Sequence, residues 1–251
     1  MPKKRVKTAL KIIILIIIIL IIYFCYQTYI TYRDTKKIGE EVIKVKAEII
    51  IDKEPPKEEL VKTNEDNNYV PKKLTFDFQK LKSINSDTVG WIKINNTNID
   101  YPIVKGKDNS YYLNHSFYKY QNINGWIFEN SQNSPYFDDD NTVIFGHNTN
   151  ARTMFSELRD IYKGKLGNDI NIYIYLENES FTYKVFSIYL SKPSETTNIT
   201  KYLNDDIVSS MKNNSKLNFN IDATSEDKIL TLSTCNNITS DRIIMHAKKI
   251  N

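Results

Sequence analysis

The chain has 251 residues, of which 41% are hydrophobic and 25% are charged, so it can form one sizeable domain and is not an intrinsically disordered protein. The formal charge of +4 comes from five basic residues among the first eleven, because the remaining 29 basic and 30 acidic residues nearly balance. A basic face for binding nucleic acid is therefore not predicted.

A long apolar segment follows the basic N-terminus. No charge interrupts the chain between Lys11 and Arg33, and residues 12–30 nearly supply the roughly 20 residues that a membrane span needs. The positive cluster before the span predicts a cytoplasmic tail of residues 1–11 and an extracellular remainder. A cleaved signal peptide is disfavoured because bulky Phe24 and Tyr26 stand where small residues are required. We predict a single-pass anchor in the cell membrane.

Residues 31–73 predict a helical and polar stalk. Residues 35–51 mix Lys and Glu with aliphatic residues at roughly helical spacing, and Pro55 and Pro56 end that pattern. Residues 57–73 are polar and charged, as in a segment that lifts a domain off a membrane. The folded domain is predicted to comprise residues 74–251.

The predicted domain consists mainly of short strands. Alternating or apolar runs separated by turn residues predict strands over 89–94, 99–104, 169–176, 181–190, 229–233 and 242–248. Helical spacing of apolar residues predicts short helices over 76–84, 154–162 and 205–211. Many short strands with few helices favour a mainly β fold, in the form of a closed or nearly closed barrel.

Cys235 is the candidate nucleophile. Cys25 lies in the apolar segment, so an extracellular domain has no structural disulfide to account for Cys235. A thiol needs a base or a nearby cation to populate its thiolate. His147 follows the short apolar strand 142–145, and Arg242 begins a strand seven residues after Cys235. A buried inert thiol and a surface arginine paired with Asp241 are the alternative interpretations.

Several strings in the chain resemble class B sortases, which are membrane-anchored cysteine transpeptidases of Gram-positive bacteria. The resemblance runs from about Phe76 to Lys249, and the first two strings below are similar to the active-site strands of that family. The strings are Thr231-Leu232-Ser233-Thr234-Cys235, Arg242-Ile243-Ile244-Met245-His246-Ala247-Lys248, Gly90-Trp91-Ile92, Ile99-Asp100-Tyr101-Pro102, Tyr111-Tyr112-Leu113-Asn114-His115 and Phe145-Gly146-His147-Asn148.

The resemblance implies a sortase-type closed β-barrel of about eight strands with peripheral helices. It implies cleavage of a C-terminal sorting signal after Thr and a thioester on Cys235, followed by transfer to a peptidoglycan-precursor amine that fixes surface proteins to the cell wall. His147 and Arg242 are the other implied catalytic residues. The partner proteins would carry an NPxTN-like or [SN]PxTG-like motif. The implied substrate-binding residues are Ser233, Thr234, Asn109, Leu113 and Ile199.

One position departs from the family pattern. Asn198-Ile199 stands where relatives place a Tyr-Ile pair that faces the substrate, which leaves the preferred sorting motif open. No metal or cofactor is predicted, because the three histidines are scattered and no carboxylate cluster has ligand spacing. The alternatives are a Cys/His peptidase or amidase that hydrolyses wall peptides, a pilin-polymerising transpeptidase and a non-catalytic surface-binding module.

Overall fold

The computed structural model describes residues 2–49, 76–149, 152–192, 203–235 and 241–251. The polar part of the predicted stalk, at 57–73, and the substrate-binding candidate Ile199 lie outside the described residues.

Eight strands form the framework of the domain. They are β1 Thr88–Ile94, β2 Asp100–Val104, β3 Phe128–Glu129, β4 Asn141–Phe145, β5 Asn171–Tyr175, β6 Ser180–Ser191, β7 Ile229–Cys235 and β8 Arg242–Lys249. They close into a barrel in the order β1-β2-β3-β4-β7-β8-β6-β5, so the predicted mainly β barrel is confirmed. The β2–β3 and β4–β7 pairs are parallel, and the other pairs are antiparallel.

Helices surround the barrel. They are α1 Pro2–Ile49, α2 Phe78–Ile84, α3 Leu158–Tyr162 and α4 Asp205–Asn213, with a short 3-10 helix at Tyr111–Leu113. The helix predicted over 154–162 starts four residues later than expected. Arg152 and Met154 adopt positive φ values of 58° and 56°, which turn the chain before a helix can begin.

Large apolar side chains form the core of the domain on both faces of the barrel wall. Trp91, Trp126 and Tyr112 are fully buried and belong to one continuous hydrophobic cluster. Phe76, just before α2, stacks on Trp91 with ring centroids 4.6 Å apart and so covers the outside of β1. Because β1 is covered on both faces, its sequence is mostly apolar and does not alternate with polar residues.

The first helix is continuous over 48 residues and has two distinct parts. Its first part is long and apolar enough to cross a membrane, and none of the most apolar window is buried against the protein. Its last part, which the sequence assigned to a stalk, packs on the barrel domain. Asp34, Ile38, Glu41, Val45 and Ile49 recur every three or four residues and are all buried, so they form one face of the helix.

Polar contacts fix the docked part of α1 beside its apolar face. Lys46 Nζ lies 3.1 Å from Asp100 Oδ2, at the start of β2. At the other end, the Asp34 carboxylate accepts a hydrogen bond from the Ile123 backbone N–H at 3.2 Å, and the Asp34 carbonyl accepts one from Asn122 Nδ2 at 3.0 Å. Each fully buried aliphatic residue of this face contributes about 1.5–3 kcal/mol, so the docking is a substantial part of the fold.

Candidate active site

Three neighbouring strands bring the predicted catalytic residues to one end of the barrel. Cys235 ends β7 and is paired directly with Arg242, the first residue of β8. On the other side of β7, Phe145 of β4 pairs in parallel with Ser233, and the Gly146 N–H continues this ladder with a 3.2 Å bond to the Ser233 carbonyl. Two residues after Phe145 the chain reaches His147, and two residues after Ser233 it reaches Cys235. The backbone therefore pairs Cys235 with Arg242, and Arg242 lies close enough to His147 for its charge to lower the pKa of the imidazole.

The imidazole of His147 is oriented by a backbone carbonyl. Its Nε2 lies 2.7 Å from the Leu113 carbonyl oxygen. Because a carbonyl only accepts hydrogen bonds, Nε2 must carry the hydrogen, and Nδ1 of the neutral ring is left as the basic nitrogen. Gly146 lets the chain approach this position, since a Cβ there would lie 2.7 Å from the ring of Phe155.

The electrostatic setting favours the neutral form of His147. The side chain is half-buried, and loss of hydration is the main cause that lowers the pKa of His147. The cation of Arg242 lowers the pKa of His147 further, whereas the bond to the Leu113 carbonyl raises it. The imidazole is therefore suited to accept a proton and, once protonated, to give that proton up readily.

Gly125 sets the shape of the loop behind the imidazole. It has a φ of +55°, and a Cβ added there would lie nearest the Tyr112 carbonyl oxygen, 2.7 Å from the Leu113 carbonyl oxygen and 2.9 Å from His147 Cδ2. Contacts below 3.0 Å are not tolerated by real side chains, so only glycine fits. The Leu113 carbonyl, the Gly125 backbone and the imidazole thus form one packed unit.

The predicted substrate-binding residues have different environments. Ser233 and Thr234 are buried in β7, and their hydroxyl groups have no hydrogen-bond partner among the described residues. Asn109 is exposed, and its Oδ1 accepts a hydrogen bond from Ser131 N at 2.8 Å, which holds the neighbouring loop. Leu113 is 41% exposed and lies next to the imidazole through its carbonyl. Their contact with substrate stays a prediction.

The other two histidines have other partners. His115 stacks on Tyr111, with ring centroids 3.9 Å apart. His246 is buried in β8, where Nδ1 lies 2.8 Å from Thr231 Oγ1 and Nε2 lies 3.0 Å from the hydroxyl of Tyr189. Burial lowers the pKa of His246 to about 3, so it is a neutral structural residue.

Sequence reasoning missed a groove that adjoins His147. It has a volume of about 410 Å³, and one of its walls is the docked part of α1. Its lining includes Thr31, Thr35, Ile123, Asn124, His147 and Thr149. No local sequence signal identifies Thr31 or Thr35, because their place at the site depends entirely on how α1 docks.

Comparison with known proteins agrees with this arrangement. Residues 92–250 match the sortase domain family. The chain is 34% identical to sortase B of Staphylococcus aureus over 182 residues, which cover 69% of this chain and 74% of the relative. The chain belongs to the sortase family.

Solved structures place it near the class B members. The crystal structure of Clostridium perfringens sortase B matches with a TM-score of 0.64 and 35% identity, covering 69% of this chain and all of that one. A Staphylococcus aureus sortase B–substrate complex matches with a TM-score of 0.62 and 32% identity, over 69% of this chain and 84% of that one. The predicted class B resemblance and the enzyme class of cysteine transpeptidase are therefore confirmed.

Proposed function

We propose that this sortase cleaves a C-terminal sorting signal after Thr and transfers the new acyl group from Cys235 to a peptidoglycan-precursor amine. Surface proteins would thereby become covalently attached to the cell wall. The observation that best supports this assignment is the strand register, which pairs Cys235 with Arg242 and leads from β4 to His147 beside them.

The first half-reaction requires a nucleophile, an oxyanion donor and an acid. The Cys235 thiolate attacks the Thr carbonyl carbon, and the guanidinium of Arg242 donates hydrogen bonds to the oxyanion. Neutral His147 first takes the thiol proton of Cys235 at Nδ1, and it then gives that proton to the leaving amine as the C–N bond breaks. The products are a thioester on Cys235, a free amine and a neutral imidazole.

The second half-reaction uses the same histidine in reverse. Neutral His147, held through Nε2–H by the Leu113 carbonyl, accepts a proton from the incoming amine at Nδ1. The amine nitrogen attacks the thioester carbon, the C–S bond breaks and the Cys235 thiolate is restored. The lowered pKa of His147 supports this step, because the imidazole is in its basic form when the amine arrives.

The proposed location is the outer face of the cell membrane. Residues 12–30 would span the bilayer, residues 1–11 would remain in the cytoplasm and residues 74–251 would form the extracellular catalytic domain. The exposed apolar part of α1 supports an anchor, and the basic residues that precede it support this orientation. Because the last turns of α1 contact the barrel, the domain would lie close to the membrane surface.

The proposed donor substrates carry an NPxTN-like or [SN]PxTG-like sorting motif. A matching structure of the Staphylococcus aureus relative is a complex with substrate, which supports a peptide substrate for this chain. The choice between the two motifs depends on Asn198 and Ile199, which lie outside the described residues.

Peptide cleavage by the full-length enzyme in detergent tests this function. Fluorogenic peptides with Asn-Pro-x-Thr-Asn, Ser-Pro-x-Thr-Gly and Leu-Pro-x-Thr-Gly would be incubated with and without an amine acceptor, beside a Cys235→Ala control. We expect cleavage after Thr that needs Cys235 and that is diverted to an amide product by the amine. Hydrolysis whose product does not change when the amine is added would instead indicate the peptidase. An amide product that forms only with a pilin lysine would indicate the pilin-polymerising transpeptidase.

A further inference from the structure

The loop at residues 118–124 presents apolar side chains to the outside, beside α1. Tyr120 is 54% exposed and Ile123 is 48% exposed. The loop is anchored at both ends by the fully buried rings of Phe117 and Trp126, whose centroids lie 5.5 Å apart. Single exposed apolar side chains are common on protein surfaces, so the position of these two on the molecule must decide what they contact.

Hydrogen bonds to α1 fix the height of this loop above the proposed membrane span. The Asp34 carboxylate accepts from Ile123 N at 3.2 Å, and the Asp34 carbonyl accepts from Asn122 Nδ2 at 3.0 Å. The helix is continuous through this region, so Asp34 lies four residues, or about 6 Å, beyond the end of the proposed span at residue 30. The headgroup layer of one leaflet is about 5–8 Å thick. The 118–124 loop therefore lies at the depth of the lipid headgroups.

Aromatic residues of α1 mark the same level. The first 22 residues of the chain contain no aromatic side chain, whereas residues 23–32 contain five, and all five are exposed. Tyrosine is enriched where a membrane meets water, because its ring is apolar and its hydroxyl is polar. Tyr120 continues this belt from the loop, and the ammonium of Lys37 lies 4.1 Å from the centre of its ring. The loop itself has no carboxylate that lipid phosphates would repel.

We infer that the 118–124 loop is a second membrane contact of the protein, with Tyr120 and Ile123 immersed in the headgroup layer of the outer leaflet. The inference rests on the proposed membrane anchor and adds to it a surface of the catalytic domain. It also fixes the orientation of the domain. Gly125 follows Ile123 by two residues, and a Cβ there would lie 2.9 Å from His147 Cδ2, so the end of the barrel that carries His147 faces the bilayer.

Tryptophan reporters in the full-length protein test this contact. Tyr120→Trp and Ile123→Trp place an indole at two separate points of the loop, so the result does not depend on the folding of one variant. Trp91 and Trp126 are fully buried, and the unmodified protein supplies their background fluorescence. Each protein would be reconstituted in vesicles of phosphatidylglycerol and phosphatidylcholine, with lipids brominated either near the headgroup end of the acyl chain or near the bilayer centre.

Two further variants calibrate the depth along the same helix. Ile22→Trp lies near the middle of the proposed span, at a position that is 63% exposed in the protein. Ile43→Trp is the matched control, because it is 70% exposed on the same helix but lies 13 residues, or about 20 Å, beyond residue 30.

Bromine quenches indole fluorescence only at short range, so the pattern reports depth. We expect Ile22→Trp to be quenched most by the lipids brominated at the bilayer centre. Tyr120→Trp and Ile123→Trp should lose about half or more of their added fluorescence to the lipids brominated near the headgroup, and less to the others. Ile43→Trp should keep its fluorescence with both lipids.

Two patterns would overturn the inference while leaving the anchor in place. One is quenching of Ile22→Trp with loop variants that match Ile43→Trp, which would indicate that the loop faces water or another protein. The other is equal quenching of the loop variants and Ile43→Trp, which would indicate that the domain has no preferred face toward the membrane. Absence of quenching in Ile22→Trp would instead contradict the proposed anchor, and the inference with it.

Discussion

Gly125→Ala should damage catalysis through the position of His147. The substitution places a methyl group against the Tyr112 and Leu113 carbonyl oxygens and 2.9 Å from His147 Cδ2, so the loop or the imidazole must move. The positive φ of Gly125 adds about 1–2 kcal/mol of backbone strain for any residue with a Cβ. A displacement of a catalytic group by about 1 Å can cost about 100-fold in rate.

We therefore expect kcat/KM for the sorting peptide to fall about 10- to 100-fold in Gly125→Ala, with a loss of about 2–3 kcal/mol in unfolding free energy. Gly167→Ala is the matched control. Gly167 has a φ of +75° but nothing within 4 Å of an added Cβ, so it carries the backbone strain without the contact. Kinetics on the folded fraction, together with denaturant unfolding, would separate the two effects.

The reasoning would be refuted if Gly125→Ala and Gly167→Ala lost stability equally and both kept full activity. That result would mean that the loop absorbs the methyl group without disturbing the bond from His147 Nε2 to the Leu113 carbonyl.

Three further predictions concern buried charge and the guanidinium. Burial lowers the pKa of His246 to about 3, so between pH 7.5 and pH 5 the unmodified protein should lose about 2 kcal/mol more unfolding free energy than His246→Gln. Burial raises the pKa of Glu129, which pairs with Lys105, to about 8, so Glu129→Gln should gain stability over the unmodified protein by up to about 3 kcal/mol between pH 5 and pH 7.5. Denaturant unfolding at each pH measures the unfolding free energies of the variant and of the unmodified protein. If the difference between these two free energies did not change with pH, the prediction for that residue would be contradicted. Arg242→Lys should lower kcat/KM about 100-fold or more, because an ammonium lacks the planar donor fork, and activity within threefold would exclude an oxyanion role.

The signs of the two pH predictions are opposite for a physical reason. Protonation of His246 is favoured in the unfolded state, whose pKa is near 6.5, so folding loses stability as the pH falls below that value. Glu129 holds its proton more tightly when folded, so folding loses stability as the pH rises above the unfolded value near 4.5. Glu129 is fully buried, and its Oε2 has no hydrogen-bond partner among the described residues, which explains why the charged form is costly there.

Most strands could be predicted because their side chains carry the pattern locally. The six strand predictions agree with the structure to within two residues at each end, since alternation and turn residues mark their limits. Strand β3 was missed because Phe128–Glu129 is too short to show a period. The strand order, with its parallel β4–β7 pair, depends on contacts between residues about 90 positions apart, which no local pattern reveals.

The docking of α1 was hidden by two acidic residues. Asp34 and Glu41 interrupt the apolar face formed by Ile38, Val45 and Ile49, so the segment was interpreted as part of a stalk. The buried Asp34 is explained by its bonds to Arg33 and to the Ile123 backbone. The separate domain and stalk boundaries remain predictions.

The candidate site was only partly accessible to sequence reasoning. Positions at strand ends led to the prediction of Cys235, His147 and Arg242; the register pairs the first and last of these directly, and β4 ends two residues before His147. The bond from His147 to the Leu113 carbonyl and the wall formed by Thr35 were not predictable, because both arise between segments distant in sequence.

Mass spectrometry of the acylated enzyme is the most direct test of the proposed chemistry. Full-length enzyme would be mixed with a sorting peptide, quenched in acid and digested to locate any added mass. We predict an acyl group ending at Thr on the peptide that contains Cys235, which disappears when hydroxylamine is added and is absent in Cys235→Ala. Cleavage after Thr that continues in Cys235→Ala, or an acyl group on another residue, would contradict the Cys235 thioester mechanism.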